Sequence, residues 1–349
     1  MLAYFLILTY SVPLLLLNNN GIKLRNNSLK SIFFLILILF LAAFRDFVGT
    51  DYNQYYSYFN SGNPILNNFE LGFHYFSIFI GYFTNSGIIY IAILNSVILF
   101  CIFIFVYNFS ENPFISIFIF VFGFFYFDSL NIIRQYLSVS VLLYPTFNLI
   151  NKNRIFDLST LAFIFLASYI HFSSFIVLII LFIFRIIKFT KIRVLIFISI
   201  FILLFFLTPN IILLLLYFTE NIPFINEYSK YISALVWITD LGSLPFDSLF
   251  YLFLIIFSIN KLKINTNLEK FLIFNLALAF LIKLYAINFK FFDRFSLFPS
   301  LTLIILFPLL FKSFNSRFVK YFLCFVFILY SFVRVFFNQA GVYDFKLLF

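Results

Sequence analysis

Long apolar runs, broken by short polar steps, recur from one end of the chain to the other. Alternation with a period of two is absent, which argues against membrane-spanning strands. The runs predict helices at 1–17, 30–44, 87–107, 113–127, 131–150, 155–170, 172–184, 194–216, 247–259, 269–288, 295–311 and 318–337. A further apolar stretch, 71–84, is too short for a full crossing and reads as a re-entrant or interfacial segment. Pro145 is expected to kink its helix. The pattern predicts an all-α, polytopic integral membrane protein. About twelve transmembrane helices are expected, in a range of about 10 to 14, with short or broken ones around an outward-facing site. No internal repeat or linker divides it, so residues 1–349 read as a single membrane domain.

The polar steps are not alike. Five are basic: 18–30 (Lys23, Arg25, Lys30), 151–154 (Lys152, Arg154), 185–193 (Arg185, Lys188, Lys191, Arg193), 261–270 (Lys261, Lys263, Lys270) and 312–320 (Lys312, Arg317, Lys320). They hold 15 of the 23 Lys and Arg, which places them on the cytoplasmic side. An even number of crossings must then separate each from the next. The run 155–184 therefore crosses twice, turning at His171-Phe172-Ser173-Ser174, and 71–84 stays on the outer side. Segments 45–86 and 217–246 become extracytoplasmic loops, and both termini lie outside. The second loop contains EYSKYISALVW, whose Tyr and Trp suit a helix lying at the interface. The first run has no basic flank or A-x-A-like cleavage site and reads as a retained helix.

Composition sharpens the class. Only 10% of residues are charged, against about 25% in a typical soluble domain. In that setting the net charge of +10 reflects topology and does not indicate nucleic acid. Cys101 and Cys324 lie inside apolar runs and suggest neither a disulfide framework nor a metal site. There is no P-loop and no G-x-G-x-x-G, which excludes a nucleotide-driven pump of those classes. Without a Cys/His cluster or a closely spaced acidic pair, any transferase here is expected to use a lipid-borne donor, with no metal and no cofactor.

A charge at the bilayer centre costs roughly 2.5–3.5 kcal/mol, so the polar residues inside or beside apolar runs are the candidates. Asn131, Arg134 and Gln135 fall at i, i+3 and i+4, one face of a predicted helix. His171 occupies the expected hairpin turn; His74 carries a weaker signal. Arg45, Asp46 and Asp51-Tyr52 close an otherwise uncharged helix, with Gly49 permitting a tight turn. Lys283, Lys290 and Asp293-Arg294 fall between two predicted helices, and Arg334 and Asn338 near the end of the last. The cations Arg45, Arg134, Lys283, Lys290, Arg294 and Arg334 oppose the positive-inside trend and gather at one expected membrane level. A cationic pocket in the outer leaflet suits a pyrophosphate, because guanidinium forks grip phosphate oxygens.

FRDFVGTDYNQYY, NIIRQYLSVSVLLY, ASYIHFSSFIVLI and FDRFSLF, in that order over about residues 30 to 300, resemble the EpsG family. That family belongs to the wider group of Wzy-type polymerases of O-antigen, capsule and exopolysaccharide. The resemblance implies a multi-pass protein of the bacterial cytoplasmic membrane that joins undecaprenyl-diphosphate-linked oligosaccharide repeat units on the extracytoplasmic side. Arg134 and Arg294, with Arg45, would hold the diphosphate. His171 or Asp51 would take the acceptor proton. Gln135 and Tyr52 would orient sugar hydroxyls, with Asn131, Lys290 and Arg334 as further substrate contacts. Membrane lipid and a chain-length regulator are the other expected partners; nucleic acid is not. The rival class is a flippase of the same lipid-linked units, which must expose its charges to both leaflets in turn. A membrane O-acetyltransferase would need a cytoplasmic acyl-donor route that the sequence does not display.

Overall fold

The computed structural model describes residues 7, 24–43, 45, 48–49, 51–61, 69–154, 157–186, 193–196, 198–205, 244–262, 264–287 and 290–337. Among them every regular element is helical. In chain order the first are α1 (Leu24–Ala43), α2 (Tyr52–Ser61), α3 (Leu71–Gly81), α4 (Gly87–Phe109), α5 (Pro113–Phe122), α6 (Phe125–Asn131) and α7 (Ile133–Asn151). Then come α8 (Leu158–Ile170), α9 (Ile176–Ile186), α10 (Leu244–Lys261), α11 (Asn267–Ala286), α12 (Leu297–Leu301), α13 (Leu303–Ser313) and α14 (Arg317–Phe336). Two compact units form: Met1–Phe182 with Leu301–Phe349, and Ile183–Ser300.

The first unit is built around α5. Every residue from Phe114 to Phe122 is buried, as expected for a helix apolar on all sides. Asn112 starts it, accepting the Ile115 amide at 3.3 Å, and Pro113 follows at the first helical position, where its missing N–H costs nothing. Helices α1, α13 and α14 pack on α5, and α4 packs on α1, α2 and α7. Polar residues are accommodated by returning their protons to carbonyls. Ser77 donates to Phe73, Asn95 to Ile91 and Ser168 to Ile164, each four residues back. Ser116 donates to the Ile304 carbonyl at 2.7 Å and ties α5 to α13.

In the second unit α10 packs against α11, which opens on a capping box of Thr266 and Glu269. Tyr285 of α11 donates to the Phe201 carbonyl at 3.1 Å. A 3₁₀ segment, Lys290–Ser296, folds back on α11.

Apolar exposure gives the class of solvent. On α14, Phe318, Phe322, Phe325, Leu329, Phe332 and Phe336 are exposed on one face, while Leu323, Phe327, Tyr330 and Arg334 are buried on the other. A contiguous apolar face of this size is what a lipid-facing helix presents. Among the described residues two helices, Gly87–Phe109 and Arg317–Phe336, are long and apolar enough to cross a membrane by themselves. Pro113–Phe122 with Phe125–Asn131, and Phe292–Leu301 with Leu303–Ser313, raise the number to four if each bent pair is one span.

Several predicted helices are broken where hydropathy is continuous. The run 113–127 bends by 57° between α5 and α6, at Gly123 and a left-handed Phe124 (φ 70°). The helix expected over 131–150 starts only at Ile133, because Ile132 (φ −86°, ψ 59°) leaves the helical region. Asn131 therefore ends α6 and does not share a helical face with Arg134 and Gln135. The helix runs through Pro145 without an assigned break. The expected helix 1–17, apart from residue 7, and the part of the 217–246 loop before residue 244 lie outside the described residues, as do Asp46 and Asn338.

Candidate functional site

Glu70 is the hinge of the site. It stands at the N-cap of α3 with an extended backbone (φ −59°, ψ 144°), yet its side chain makes no capping bond. The carboxylate bridges two other elements instead. Oε2 accepts from Arg134 Nη1, in the first turn of α7, and Oε1 bonds His171 Nδ1 at 2.6 Å, in the break after α8. Arg134 also lies flat against aromatic side chains, its guanidinium carbon 4.0 Å from the Phe69 ring centroid and 5.9 Å from Phe73. The three side chains keep 12–27% of their surface open, so the cluster is neither sealed nor fully solvated.

Local sequence explains the convergence. Gly72 lets α3 lie directly on the end of α8, since a Cβ there would sit 2.5 Å from the Tyr169 carbonyl oxygen. That contact sets Glu70 beside His171. The histidine itself is extended (φ −155°, ψ 118°) and interrupts the hairpin at the expected turn; its N–H reaches the Ala167 carbonyl at 2.8 Å. Ser174, in the 3₁₀ turn Phe172–Phe175, donates to Ser138 Oγ at 2.6 Å, and Ser138 donates to the Gln135 carbonyl at 2.9 Å. This relay fastens the histidine turn to α7, the helix that carries Arg134.

The opening polar stretch docks on the α6–α7 junction. Gly49 has φ 104°, a conformation open to glycine, and faces the Leu130 carbonyl. Two residues on, the Asp51 amide donates to Asn131 Oδ1 at 2.9 Å. Arg45 is 1% exposed, lies over the Tyr52 ring at 5.4 Å, and none of its three guanidinium nitrogens has a hydrogen-bond partner among the described residues. Gln135 is buried in α7.

Of the remaining candidates, Arg334 belongs to the first unit and Lys283, Lys290 and Arg294 to the second. Arg334 lies 4.4 Å from the ring of Phe124 and donates to Asp128 Oδ2 at 3.3 Å, so it braces the bend between α5 and α6. In the second unit Arg294 is exposed, and Lys290 opens the 3₁₀ segment. There Lys283 Nζ lies 2.6 Å from Asp293 and 3.6 Å from Asp247.

Electrostatics define what the cluster can do. Burial pushes the Glu70 carboxyl up, but the His171 hydrogen bond and the nearby Arg134 charge outweigh it and hold it at about 2. An ionised carboxylate can only accept, so the proton on this side of His171 belongs to Nδ1. In neutral His171 the lone pair then resides on Nε2, in the tautomer suited to receive a proton from a bound hydroxyl. Arg134, fixed through one nitrogen, brings a permanent positive charge beside that base.

Sequence reasoning picked out Arg134 and His171 but missed Glu70. One signal was available: it is the sole acidic residue between Asp51 and Glu111, and it directly precedes the short apolar segment expected to re-enter the protein.

A family model described as the EpsG family matches residues 29–347. No curated protein and no solved structure matches the chain. The match spans nearly the whole length, and the chain belongs to the EpsG family, which is associated with Wzy-type polymerases. Membership together with the apolar helices makes it a membrane protein of polysaccharide biosynthesis.

Proposed function

We propose that this protein is a polysaccharide polymerase that joins undecaprenyl-diphosphate-linked repeat units at the outer face of the bacterial cytoplasmic membrane. The observation that carries the reading is the Arg134–Glu70–His171 bridge, which pairs an oriented base with a fixed cation. His171 Nε2 removes the proton from the acceptor hydroxyl as its oxygen attacks the anomeric carbon of the donor sugar. The anomeric C–O bond breaks, and its electron pair leaves with the lipid diphosphate. Arg134 stabilises that charge as it develops, with Arg45 as a further diphosphate ligand. Glu70 holds the imidazole tautomer and stabilises the imidazolium once the proton arrives. Neither a metal nor a cofactor takes part.

The reading includes about twelve crossings, the five basic connections on the cytoplasmic side, and a single membrane domain. Tyr52, Asn131 and Gln135 contact sugar hydroxyls, Arg334 supports the lipid diphosphate, and a chain-length regulator docks on the assembly. Asp51 is the alternative base.

The test is long-chain polysaccharide on a gel, against accumulation of a single lipid-linked repeat unit. Arg134→Ala and His171→Ala should give the single unit at normal membrane levels of protein. Normal chain lengths from Arg134→Ala would remove the mechanism. For the topology, an introduced cysteine at Lys152 or Lys191 should resist an impermeant thiol reagent in intact cells; labelling there would overturn the orientation.

A further inference from the structure

A second recess lies beside the cluster in the first unit, a cavity of about 560 Å³ formed by the end of α2, the outer face of α3 and the turn before α4. That volume falls within the roughly 300–1,000 Å³ usual for small-molecule sites. Its walls combine aromatic and neutral polar groups: Tyr58, His74, Tyr82, Asn60, Thr84 and Asn85. No Lys, Arg, Asp or Glu lines it among the described residues. This chemistry selects a ligand. A phosphate would want a cation. A lipid tail would find no continuous apolar wall, since His74, Thr84, Asn60 and Asn85 interrupt it. A sugar ring satisfies both kinds of wall, because its hydroxyls match carboxamides, which donate and accept side by side, and its C–H face lies on an aromatic ring.

Two features make the recess a built site. Tyr58 Oη and His74 Nδ1 share a hydrogen bond of 2.7 Å that fixes both side chains, and Tyr58 itself is 5% exposed. Tyr82, by contrast, is 81% exposed, free to fold over a ligand. The recess also adjoins the candidate active site through one side chain. The Phe69 ring lies 4.6 Å from Tyr58 and carries the Arg134 guanidinium at 4.0 Å.

We propose that this recess is a saccharide subsite that holds a neutral sugar of the oligosaccharide, next to the bond being made, and recognises it without the lipid diphosphate. The assignment deepens the polymerase reading and rests on it for the identity of the sugar, but the binding itself can be measured apart from catalysis. The probe is the host's repeat-unit oligosaccharide, freed from its lipid by mild acid. Saturation-transfer NMR on the full chain in nanodiscs reports which probe protons touch the protein. Wild type should transfer saturation to the sugar ring protons. The double variant Asn60→Ala/Asn85→Ala should weaken binding about tenfold, as loss of two neutral hydrogen bonds implies. Tyr82→Ala, a change at an exposed side chain, should also weaken it. No transfer in wild type, or undiminished transfer in the double variant or in Tyr82→Ala, would overturn the subsite. Failure of the polymerase reading would appear separately, as normal polymer from Arg134→Ala.

Discussion

Two charged triads sit among apolar side chains in this protein, one in each unit, and they are built in opposite senses. In the first unit one carboxylate, Glu70, serves two nitrogen bases, Arg134 and His171, and all three remain partly open. In the second unit one cation, Lys283, serves two carboxylates, and Asp247 is 1% exposed. The first triad leaves an imidazole nitrogen for a ligand. The second buries Lys283 and Asp247, leaves Asp293 36% open, and fastens α10, α11 and the 3₁₀ segment. A charge inside an apolar protein is thus no mark of chemistry by itself; what matters is whether an atom of the cluster remains to meet a substrate.

The largest expected effect is on the enclosed triad. Lys283→Met removes the cation shared by Asp247 and Asp293, and removal of one partner from a buried pair costs about 3–5 kcal/mol. A marked fall in the detergent-solubilised melting temperature should result, and Lys283→Met/Asp247→Leu should recover part of it. Unchanged melting of Lys283→Met would break the contrast. Next is Arg134→Ala, where loss of one transition-state contact costs about 3 kcal/mol, or about 100-fold in polymerisation rate. Arg134→Lys keeps the charge but loses the fork, so its rate should fall between wild type and Arg134→Ala, with normal melting.

Much of this architecture was legible in the sequence, for physical reasons. The helices expected at 87–107, 269–288 and 318–337 appear as Gly87–Phe109, Asn267–Ala286 and Arg317–Phe336, because capping and polar steps bound them. The His171 turn and the short helix after Glu70 were also visible as polar interruptions. The breaks at Phe124, Ile132 and Thr302 were not, since a backbone change inside an apolar run leaves hydropathy untouched. Glu70 is hidden in the sequence because only cations oppose the expected topology there. An acid on the outer side agreed with that topology and drew no notice.

Glu70→Gln should cost about tenfold in rate, or about 1.4 kcal/mol, because the amide presents two different ends to His171 and Arg134 and carries no charge. The smallest effect concerns pH. The Glu70 carboxyl lies at about 2 in the folded protein against 4.5 for the free group, so its contribution is present in full above about pH 4.5 and is lost as pH falls toward 2. The melting-temperature advantage of wild type over Glu70→Gln should therefore shrink as pH falls below about 4.5. An advantage that grew in acid would place the Glu70 proton wrongly.

The most direct test of the account is a double-mutant cycle on the two residues joined at 2.6 Å. Initial polymerisation rates would be measured with a purified lipid-linked repeat unit for wild type, Glu70→Gln, His171→Ala and the double variant. If Glu70 acts through His171, the double variant should be no slower than His171→Ala alone, because a group that orients a base has nothing left to orient once the base is gone. Fully additive losses, or a His171→Ala enzyme with wild-type rate, would contradict the central claim.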